Sequence, residues 1–225
     1  MIRRELGERI DFHIHSLLSD GVLIPSEVAR RTRALGYRAV VIADHVDHSN
    51  LESVVKSLNA VAEAERVYSS FQMVPGVELT HIPPRSIPDL AARAKRLGAR
   101  IVVVHGETLA EPVEPGTNSS AVRCSDVDVL AHPGFISLED ANLAKENSIY
   151  LEISARKGHC LTNGYVARTA MSVGAKMLVN TDAHEPDDLI VQEYAYRVAL
   201  GASLDESLSL KVVRDFPLEL LRRVC

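Results

Sequence analysis

Cysteine is scarce in this sequence, and no apolar run is long enough to suggest a membrane span. The three cysteines, Cys124, Cys160 and Cys225, are odd in number and lack the spacing of a metal motif. This pattern excludes a disulfide framework and favours a reducing compartment. Because no signal peptide is evident before the opening residues MIRREL, we expect a cytoplasmic protein.

An excess of basic residues is also missing. The 25 lysines and arginines are outnumbered by 30 aspartates and glutamates, which gives a formal net charge of −5. The basic residues are scattered singly or in short pairs, so the chain lacks the basic stripe of non-specific nucleic-acid binding. A nucleic-acid partner is therefore not expected, whereas a small phosphorylated substrate fits if local basic groups receive it.

Short apolar segments alternate with helical segments along the chain. Seven β-branched runs are short enough to be buried strands. They are RIDFHIH, AVVIAD, QMVPGVEL, RIVVVHG, DVLAHP, IYLEIS and KMLVNTD. The segments between them carry helix boundary signals, such as Pro25 with Gly36 and the candidate cap Ser86 with Gly98.

This alternation predicts an α/β fold with parallel strands joined by right-handed βαβ units, and seven repeats suit a closed barrel. An open doubly wound sheet is the alternative, but no glycine-rich phosphate loop follows any strand. The length of 225 residues and the lack of a linker predict a single domain over residues 1–225.

Histidines and carboxylates collect where the predicted strands end. His13 and His15 share one face of the first strand and can converge on one metal ion. The later strand ends carry His45, Glu78, His105, His132, Asp182 and His184. In an α/β barrel these ends meet at one mouth, where the chemistry is housed. The joint placement predicts a metal centre more strongly than any one histidine does.

The same residues form motifs that resemble those of a known family. DFHIHSLLSDG, residues 11–21, matches the pattern D-x-H-x-H-x-x-x-S-D-G, and ADH, GVE, VHGE, AHPG and TDAH follow in order. In these motifs the chain resembles the PHP family, named for polymerases and histidinol phosphatases, from residue 11 to about 190. The resemblance implies a distorted (β/α)7 barrel of TIM-barrel type and a metal-dependent phosphoesterase activity.

The resemblance also implies two to three divalent transition-metal ions, of zinc, manganese or iron. By position, the first ion would be held by His13, His15, Glu78 and Asp182. The second would be held by Glu78, His105 and His132, and the third by Asp20, His45 and His184. Imidazole and carboxylate ligands without thiolate favour a catalytic site over a closed structural zinc site.

Glu78 has two carboxylate oxygens and can bridge two cations, as two-metal hydrolases require. A water shared by the cations would lose its proton near neutral pH, and the bridging hydroxide would attack phosphorus in line. We therefore expect catalytic roles for Glu78, Asp182 and His184. The acid that protonates the leaving group stays open between a metal-bound water and His184.

A basic segment follows the sixth predicted strand. EISARKGHCLTNG, residues 152–164, carries Arg156, Lys157 and His159 as candidates for substrate binding. Guanidinium binds phosphate through two N–H groups, and PHP-family histidinol-phosphate phosphatases use an arginine near this position, so the resemblance favours Arg156. A solvated loop is the alternative, above all for Lys157.

Two further features lie near the predicted mouth. Residues 105–122 form a long connection, which is either a lid or specificity element or a solvated excursion. His48 and His81 are expected outside the ligand set, as supporting or exposed residues.

The function expected first is a metal-dependent phosphatase that hydrolyses a small phosphomonoester, with histidinol phosphate favoured by analogy. A PHP-type nuclease or proofreading exonuclease is a second possibility, against which the acidic balance counts. An amidohydrolase-like hydrolase is a third, although that class lacks the glutamate of strand three in this pattern. A non-enzymatic metal-binding protein is the fourth. The oligomeric state stays open.

Overall fold

Strands and helices alternate through residues 6–225, the part of the chain that the computed structural model describes. The strands are β1 Arg9–Ile14, β2 Tyr37–Ile42, β3 His45–Val46, β4 Gln72–Leu79, β5 Ile101–His105, β6 Val129–Ala131, β7 Tyr150–Ser154 and β8 Met177–Asn180. The α-helices are α1 Pro25–Ala34, α2 Leu51–Tyr68, α3 Ile87–Leu97, α4 Thr117–Val122, α5 Leu138–Glu146, α6 Asn163–Val173, α7 Gln192–Gly201, α8 Glu206–Leu210 and α9 Phe216–Val224. All seven predicted strands are present.

The strands form a nearly closed parallel barrel. The strand order is β1-β2-β4-β5-β6-β7-β8, and the short β3 pairs with β4. An isolated parallel bridge between Ile14 and Ala183 joins the two ends, supported by the 2.9 Å hydrogen bond from the His15 amide to the Ala183 carbonyl. The predicted TIM-barrel-like α/β fold is therefore confirmed.

The placement of His45 at the end of the second strand was wrong. Strand β2 ends at Ile42, and His45 begins the separate strand β3, where it stands opposite Glu78 of β4. The chain leaves β2 and pairs again beside β4, with a 3.0 Å hydrogen bond from the Glu78 amide to the Asp44 carbonyl. This short strand sets His45 beside Glu78, a neighbour that the assignment of His45 to the third ion with Asp20 and His184 did not include.

Two apolar clusters hold the barrel. One cluster contains side chains from alternate strand positions, including Phe12, Val41 and Val103, together with Leu220 and Leu221 of α9. The other, larger cluster fills the space between the strands and the surrounding helices. Every strand residue of β5 to β8 is buried, as expected for a parallel sheet covered on both sides.

The helices follow ordinary sequence signals. Helix α2 buries Leu51, Val54, Val55 and Leu58, which are spaced along one face of a helix. Helix α3 ends at Gly98, whose φ of 105° suits a glycine. Ser86 occupies the N-cap position of this helix, as predicted, but its hydroxyl donates to the Pro83 carbonyl and makes no capping hydrogen bond.

Two expectations about the chain as a whole can be compared with this fold. Cys124, Cys160 and Cys225 all carry free thiols, in line with the absence of a disulfide framework. Across residues 6–225, none of the helices combines the length and the apolarity that a bilayer crossing demands.

Candidate metal centre

The residues predicted to hold the first ion meet at the C-terminal mouth of the barrel. The Nε2 atoms of His13 and His15 lie 3.0 Å apart. His13 Nε2 is 3.3 Å from Glu78 Oε1, and His15 Nε2 is 3.2 Å from Asp182 Oδ1. All four side chains are buried. The structure thus brings two imidazole nitrogens and two carboxylates to one point.

The residues predicted for the second ion lie beside the first group. His105 Nδ1 is 3.3 Å and His132 Nε2 is 3.6 Å from the same oxygen, Glu78 Oε1. His132 Nε2 also lies 3.6 Å from Asp182 Oδ2. Asp182 therefore faces both groups, which the assignment to the first ion alone did not include.

The residues predicted for the third ion form a more exposed group. Asp20 lies 3.1 Å from His184 Nε2 and 3.6 Å from His45 Nε2. His15 joins this group through Nδ1, 3.9 Å from the Asp20 carboxylate. These four residues place one ligand atom each within 4.8 Å of one another. His15 thus presents its two ring nitrogens to two different groups.

Glu78 lies at the centre of the three groups. Its Oε1 faces His13, His105 and His132. Its Oε2 faces His45 at 2.8 Å and His15 at 3.5 Å. Together the two oxygens therefore face histidines of all three groups, as a carboxylate that bridges cations would.

The donor atoms fit divalent cations. Among the residues predicted as metal ligands, seven buried atoms have no hydrogen bond of acceptable geometry: His15 Nδ1, both carboxylate oxygens of Glu78 and both ring nitrogens of His105 and of His132. Because buried polar groups are normally hydrogen-bonded, so many unsatisfied atoms in one place need another partner. Imidazole nitrogen and carboxylate oxygen are together suited to zinc, manganese and iron.

The electrostatics of the cluster pair anionic carboxylates with cationic imidazoles. Burial opposes ionisation of Glu78, but His13, His45 and His105 hold the pKa of Glu78 well below its ordinary value. Although burial disfavours charged imidazole, Glu78 and its neighbouring carboxylates raise the pKa of His45 to about 10 and that of His105 to about 9. Burial and the nearby His45 lower the pKa of His15 to about 3.

Local backbone distortions aim several of these side chains. Between Asp11 and Ile14, β1 has one residue more than the facing segment of β2, and such a bulge redirects side chains. His132 and Asp182 have φ values of 25° and 52°, in the left-handed region that non-glycine residues rarely occupy. Strained backbone at these two positions is typical of functional sites.

The loops that follow β5 and β6 also approach each other closely. A Cβ atom at Gly106 would lie 2.3 Å from the Ala131 carbonyl oxygen. A Cβ atom at Gly134 would lie 1.9 Å from the Glu107 carbonyl oxygen. Only glycine fits at these positions, and the close approach sets His105 and His132 side by side, with ring centroids 4.5 Å apart.

Two aspartates of the motifs support the cluster from outside. Asp11 pairs with Arg9 at 2.8 Å and accepts hydrogen bonds from the His13 and Thr181 amides. Asp44 accepts hydrogen bonds from the Ser16 amide at 2.7 Å and from the Ser16 and Ser19 hydroxyls. Both residues position loops that carry cluster residues.

The three predicted substrate-binding residues differ in position. Arg156 is 30% exposed at the mouth, donates to the Asp182 carbonyl at 2.8 Å and contacts His184 Nδ1. His159 is buried, with its ring stacked on His132 at 4.1 Å. Lys157 is exposed and lines a cavity of about 510 Å³ together with Arg156 and Asp187. Arg156 and His159 join the cluster directly, whereas Lys157 lies at its margin.

Two acidic residues of the site were missed by the sequence reasoning. Glu152 of β7 is fully buried and accepts hydrogen bonds from His13 Nδ1 at 2.8 Å and from Asn180 Nδ2 at 2.9 Å. Its position as an acid within the apolar run IYLEIS is the signal that could have revealed it. Glu111 lies in the long loop after β5, 3.1 Å from His105 Nε2, and no periodic pattern marks it.

A cavity of about 360 Å³ opens beside the third group. It is lined by Asp20, His45, Thr80, His81 and Glu111, among others. This volume is in the range of small-molecule sites. A polar cavity next to clustered imidazoles and carboxylates can hold a small anionic molecule close to bound cations.

The chain is similar to several known proteins. It is 51% identical to the uncharacterized protein MJ1295 of Methanocaldococcus jannaschii over 96% of this chain and all of that protein. It is 26% identical to a probable phosphatase of Thermoanaerobacter sp. (strain X514), covering 89% of each chain. No protein-family model matches the sequence.

Two other proteins are more distant. The chain is 24% identical to the DNA polymerase/3'-5' exonuclease PolX of Bacillus subtilis over 80% of this chain, which spans only 35% of PolX. A crystal structure of a prolidase complexed with N-methylphosphonate-L-proline superposes on this chain with a TM-score of 0.65 at 13% identity. The superposition covers 96% of this chain and 74% of the prolidase, and this likeness concerns the fold alone. At 51% identity over nearly its whole length, the chain belongs to the protein family of MJ1295.

Proposed function

We propose that this protein is a metal-dependent phosphatase that hydrolyses a small phosphomonoester. The observation that carries the proposal is the position of Glu78, whose two oxygens face separate imidazole sets at the mouth of the barrel. When bound there, divalent cations supply a water whose pKa is lowered to about 7 and neutralise charge on a phosphoryl group.

The proposed ligand residues follow the three groups of the cluster. His13, His15, Glu78 and Asp182 would hold one ion, Glu78, His105 and His132 a second, and Asp20, His45 and His184 a third. Glu152 would fix the ring of His13, because the hydrogen bond at Nδ1 leaves Nε2 directed at Glu78. Zinc, manganese or iron is the proposed metal.

The proposed substrate contacts come from the loop after β7. Arg156 would bind non-bridging phosphoryl oxygens, since its guanidinium lies at the mouth and is partly exposed. His159 would contribute an N–H group beside His132, and Lys157 would raise the local positive potential from the margin. His184 is held by Asp20 and Arg156, so a role as the leaving-group acid would require it to exchange these contacts.

Histidinol phosphate is the specific substrate that we propose first, because the motifs resemble those of histidinol phosphatases. We further propose that residues 1–225 act as one domain in the cytoplasm, with a small phosphorylated substrate and no nucleic-acid partner. The net charge of −5 supports the last point.

A PHP-type nuclease is the second candidate. The likeness to PolX, whose name includes a 3'-5' exonuclease, favours it. An amidohydrolase-like hydrolase is a third candidate with less support, because the likeness to the prolidase structure extends only to the fold. All three would use the same cluster, so the substrate must decide among them.

The deciding experiment is a substrate screen with protein reconstituted separately with zinc, manganese and iron. The panel contains histidinol phosphate, sugar phosphates, nucleotides, short oligonucleotides and amide substrates. We expect release of inorganic phosphate from a small phosphomonoester, and no release by protein treated with a chelator. Cleavage of oligonucleotides alone, or of amides alone, would replace the phosphatase proposal by the matching alternative.

Two histidine variants provide a matched control for this screen. His132→Asn removes a proposed ligand, whereas His48→Asn changes a histidine outside the cluster. We expect His132→Asn to lose activity and His48→Asn to retain it. Equal activity in both variants would mean that the cluster is not the catalytic site.

A further inference from the structure

Glu111 extends from the long loop after β5 into a ring of three imidazoles. Its Oε2 lies 3.1 Å from His105 Nε2 and 3.2 Å from His81 Nε2, and its Oε1 lies 3.4 Å from His159 Nε2. These three histidines come from different segments of the chain. A single carboxylate therefore occupies a point on which three ring nitrogens converge.

The three ring nitrogens are suited to donate hydrogen bonds. His105 faces Glu78 through Nδ1, so ligation at that atom leaves the proton on Nε2, toward Glu111. The Thr108 hydroxyl lies 2.8 Å from His159 Nδ1, which directs the Nε2 of that ring to the same point. His105 and His159 are almost completely buried, and their donors are thus prepositioned.

His81 is held toward the same point at an energetic cost. Its φ of 50° places a non-glycine residue in the left-handed region, where such residues are uncommon. Its ring packs 4.9 Å from the ring of His105. Backbone strain of this kind persists where the surrounding structure imposes it and is concentrated at binding sites.

Glu111 is not fully hydrogen-bonded to the three imidazoles. His105 Nε2 is buried and has no hydrogen bond of acceptable geometry, although Glu111 Oε2 is only 3.1 Å away. The Glu111 side chain is 38% exposed, and it lines the 360 Å³ cavity at the mouth together with His81. A buried ring nitrogen thus lies beside Glu111 without a well-aligned acceptor, and Glu111 itself borders the cavity.

The loop that carries Glu111 is anchored at its base. The Glu107 carboxylate accepts hydrogen bonds from the Gly116 and Asn118 amides, at 3.0 Å and 2.9 Å. The Glu107 amide in turn donates to Asn118 Oδ1 at 3.0 Å. These bonds tie residues 107 and 116–118 together at the base of the loop and do not involve the Glu111 side chain.

We propose that His81, His105 and His159 form an oxyanion subsite, which Glu111 fills when no substrate is bound. The subsite would take the phosphoryl group of the substrate, whose terminal oxygens would replace the Glu111 carboxylate. This inference rests on the proposed phosphatase function for the identity of the ligand. In this proposal Glu111 is a displaceable competitor of phosphate, and its close grouping with His81 and His105 serves hydrogen bonding and not metal binding.

The test is calorimetric titration of metal-loaded protein with inorganic phosphate. Glu111→Gln removes the charge with little change in volume, and Glu114→Gln makes the same change at an exposed residue of the same loop. We expect Glu111→Gln to bind phosphate roughly ten-fold more tightly, the effect of removing one competing charged hydrogen-bond partner. Glu114→Gln should bind phosphate as the wild type does.

Two further measurements separate this subsite from other roles of Glu111. Adding His81→Asn to the Glu111→Gln protein should weaken phosphate binding, because one donor is lost. The metal content of Glu111→Gln, measured by mass spectrometry, should equal that of the wild type. Loss of metal, unchanged or weaker phosphate binding, or equal tightening in Glu114→Gln would overturn the proposal.

The phosphate-binding result does not depend on whether the protein hydrolyses a phosphomonoester. If no phosphomonoester is hydrolysed but Glu111→Gln binds phosphate more tightly, the proposed function fails and the subsite stands. If hydrolysis occurs but the phosphate affinities of wild type and Glu111→Gln are equal, the subsite fails and the phosphatase proposal stands.

Discussion

Replacing Glu78 by glutamine tests whether one carboxylate joins two cations. Glutamine keeps the volume of the side chain but offers one carbonyl oxygen and one amide nitrogen, and the nitrogen cannot bind a cation. Oε1 faces His13, His105 and His132, and Oε2 faces His15 and His45. An amide nitrogen in place of either oxygen therefore removes a ligand atom from at least one proposed ion, and we expect the variant to lose about one metal equivalent.

The size of the effect follows from the charge that is removed. The distance between Glu78 Oε1 and His105 Nδ1 is 3.3 Å. A unit positive charge at that distance from the Glu78 carboxylate is attracted by about 5 kcal/mol at an effective dielectric constant of 20. A third of that value, about 1.7 kcal/mol, already exceeds the 1.4 kcal/mol of a ten-fold change in affinity. The second cation should thus also bind at least about ten-fold more weakly.

The assay measures metal content and phosphatase turnover on the same dialysed samples. Glu139→Gln, at a residue whose side chain is 75% exposed on α5, makes the same chemical change away from the site. Circular dichroism establishes that each variant is folded. A folded Glu78→Gln protein with full metal content and wild-type turnover would refute the bridging role.

Three further predictions concern the substrate, the support of the ligands and the protons. Arg156→Ala should raise KM for a phosphomonoester with normal metal content, and an unchanged KM in steady-state kinetics would contradict phosphate binding by this residue. Glu152→Gln should weaken metal affinity about 10–100-fold, measured by competition with a chelator, because His13 Nδ1 loses its anionic acceptor. An unaltered metal affinity would assign Glu152 a purely structural role. With pKa values of about 10 and about 9, His45 and His105 carry protons at neutral pH without metal. Protons and metal ions then compete for these imidazoles, so the metal affinity should rise from pH 6 to pH 9. Calorimetry in buffers of different ionisation enthalpy should detect the released protons, and an affinity independent of pH would exclude this competition.

The parts of the site that lie at strand ends could be predicted from the sequence. His13, His105 and Asp182 close or follow short apolar runs, and parallel strands necessarily bring their C-terminal ends together. Their convergence therefore follows from the local pattern and the barrel topology alone. This is why strand-end residues that were predicted as ligands, such as His13, His15 and Glu78, place ligand atoms close to one another in the structure.

The parts that depend on loop conformation could not be predicted. Glu111 is six residues beyond the end of β5, in a loop without periodicity, and it reaches His105 only because of the path of that loop. His45 was placed at a strand end, yet its position depends on a second pairing of the chain beside β4. Such contacts arise from tertiary structure, for which hydropathy patterns contain no signal.

The seam of the barrel, where β1 and β8 face each other, lies beside the proposed metal ligands. Strands β1 and β8 are not adjacent in the ladder, and the Ile14–Ala183 bridge joins the segments at the mouth. Deeper in the barrel, side chains replace the ladder: Arg9 donates to the Val179 carbonyl, and Asn180 accepts from the Phe12 amide.

The proposed ligands lie on both sides of this seam. His13 and His15 come from the β1 side, and Asp182 and His184 come from the β8 side. Cations held between them would therefore join the two ends of the sheet beside the backbone hydrogen bonds that link these ends at the mouth, from the His15 amide to Ala183 and from the Asp182 amide to His13. Because ligand binding to the folded state alone stabilises that state, the groups proposed to activate water would also close the barrel.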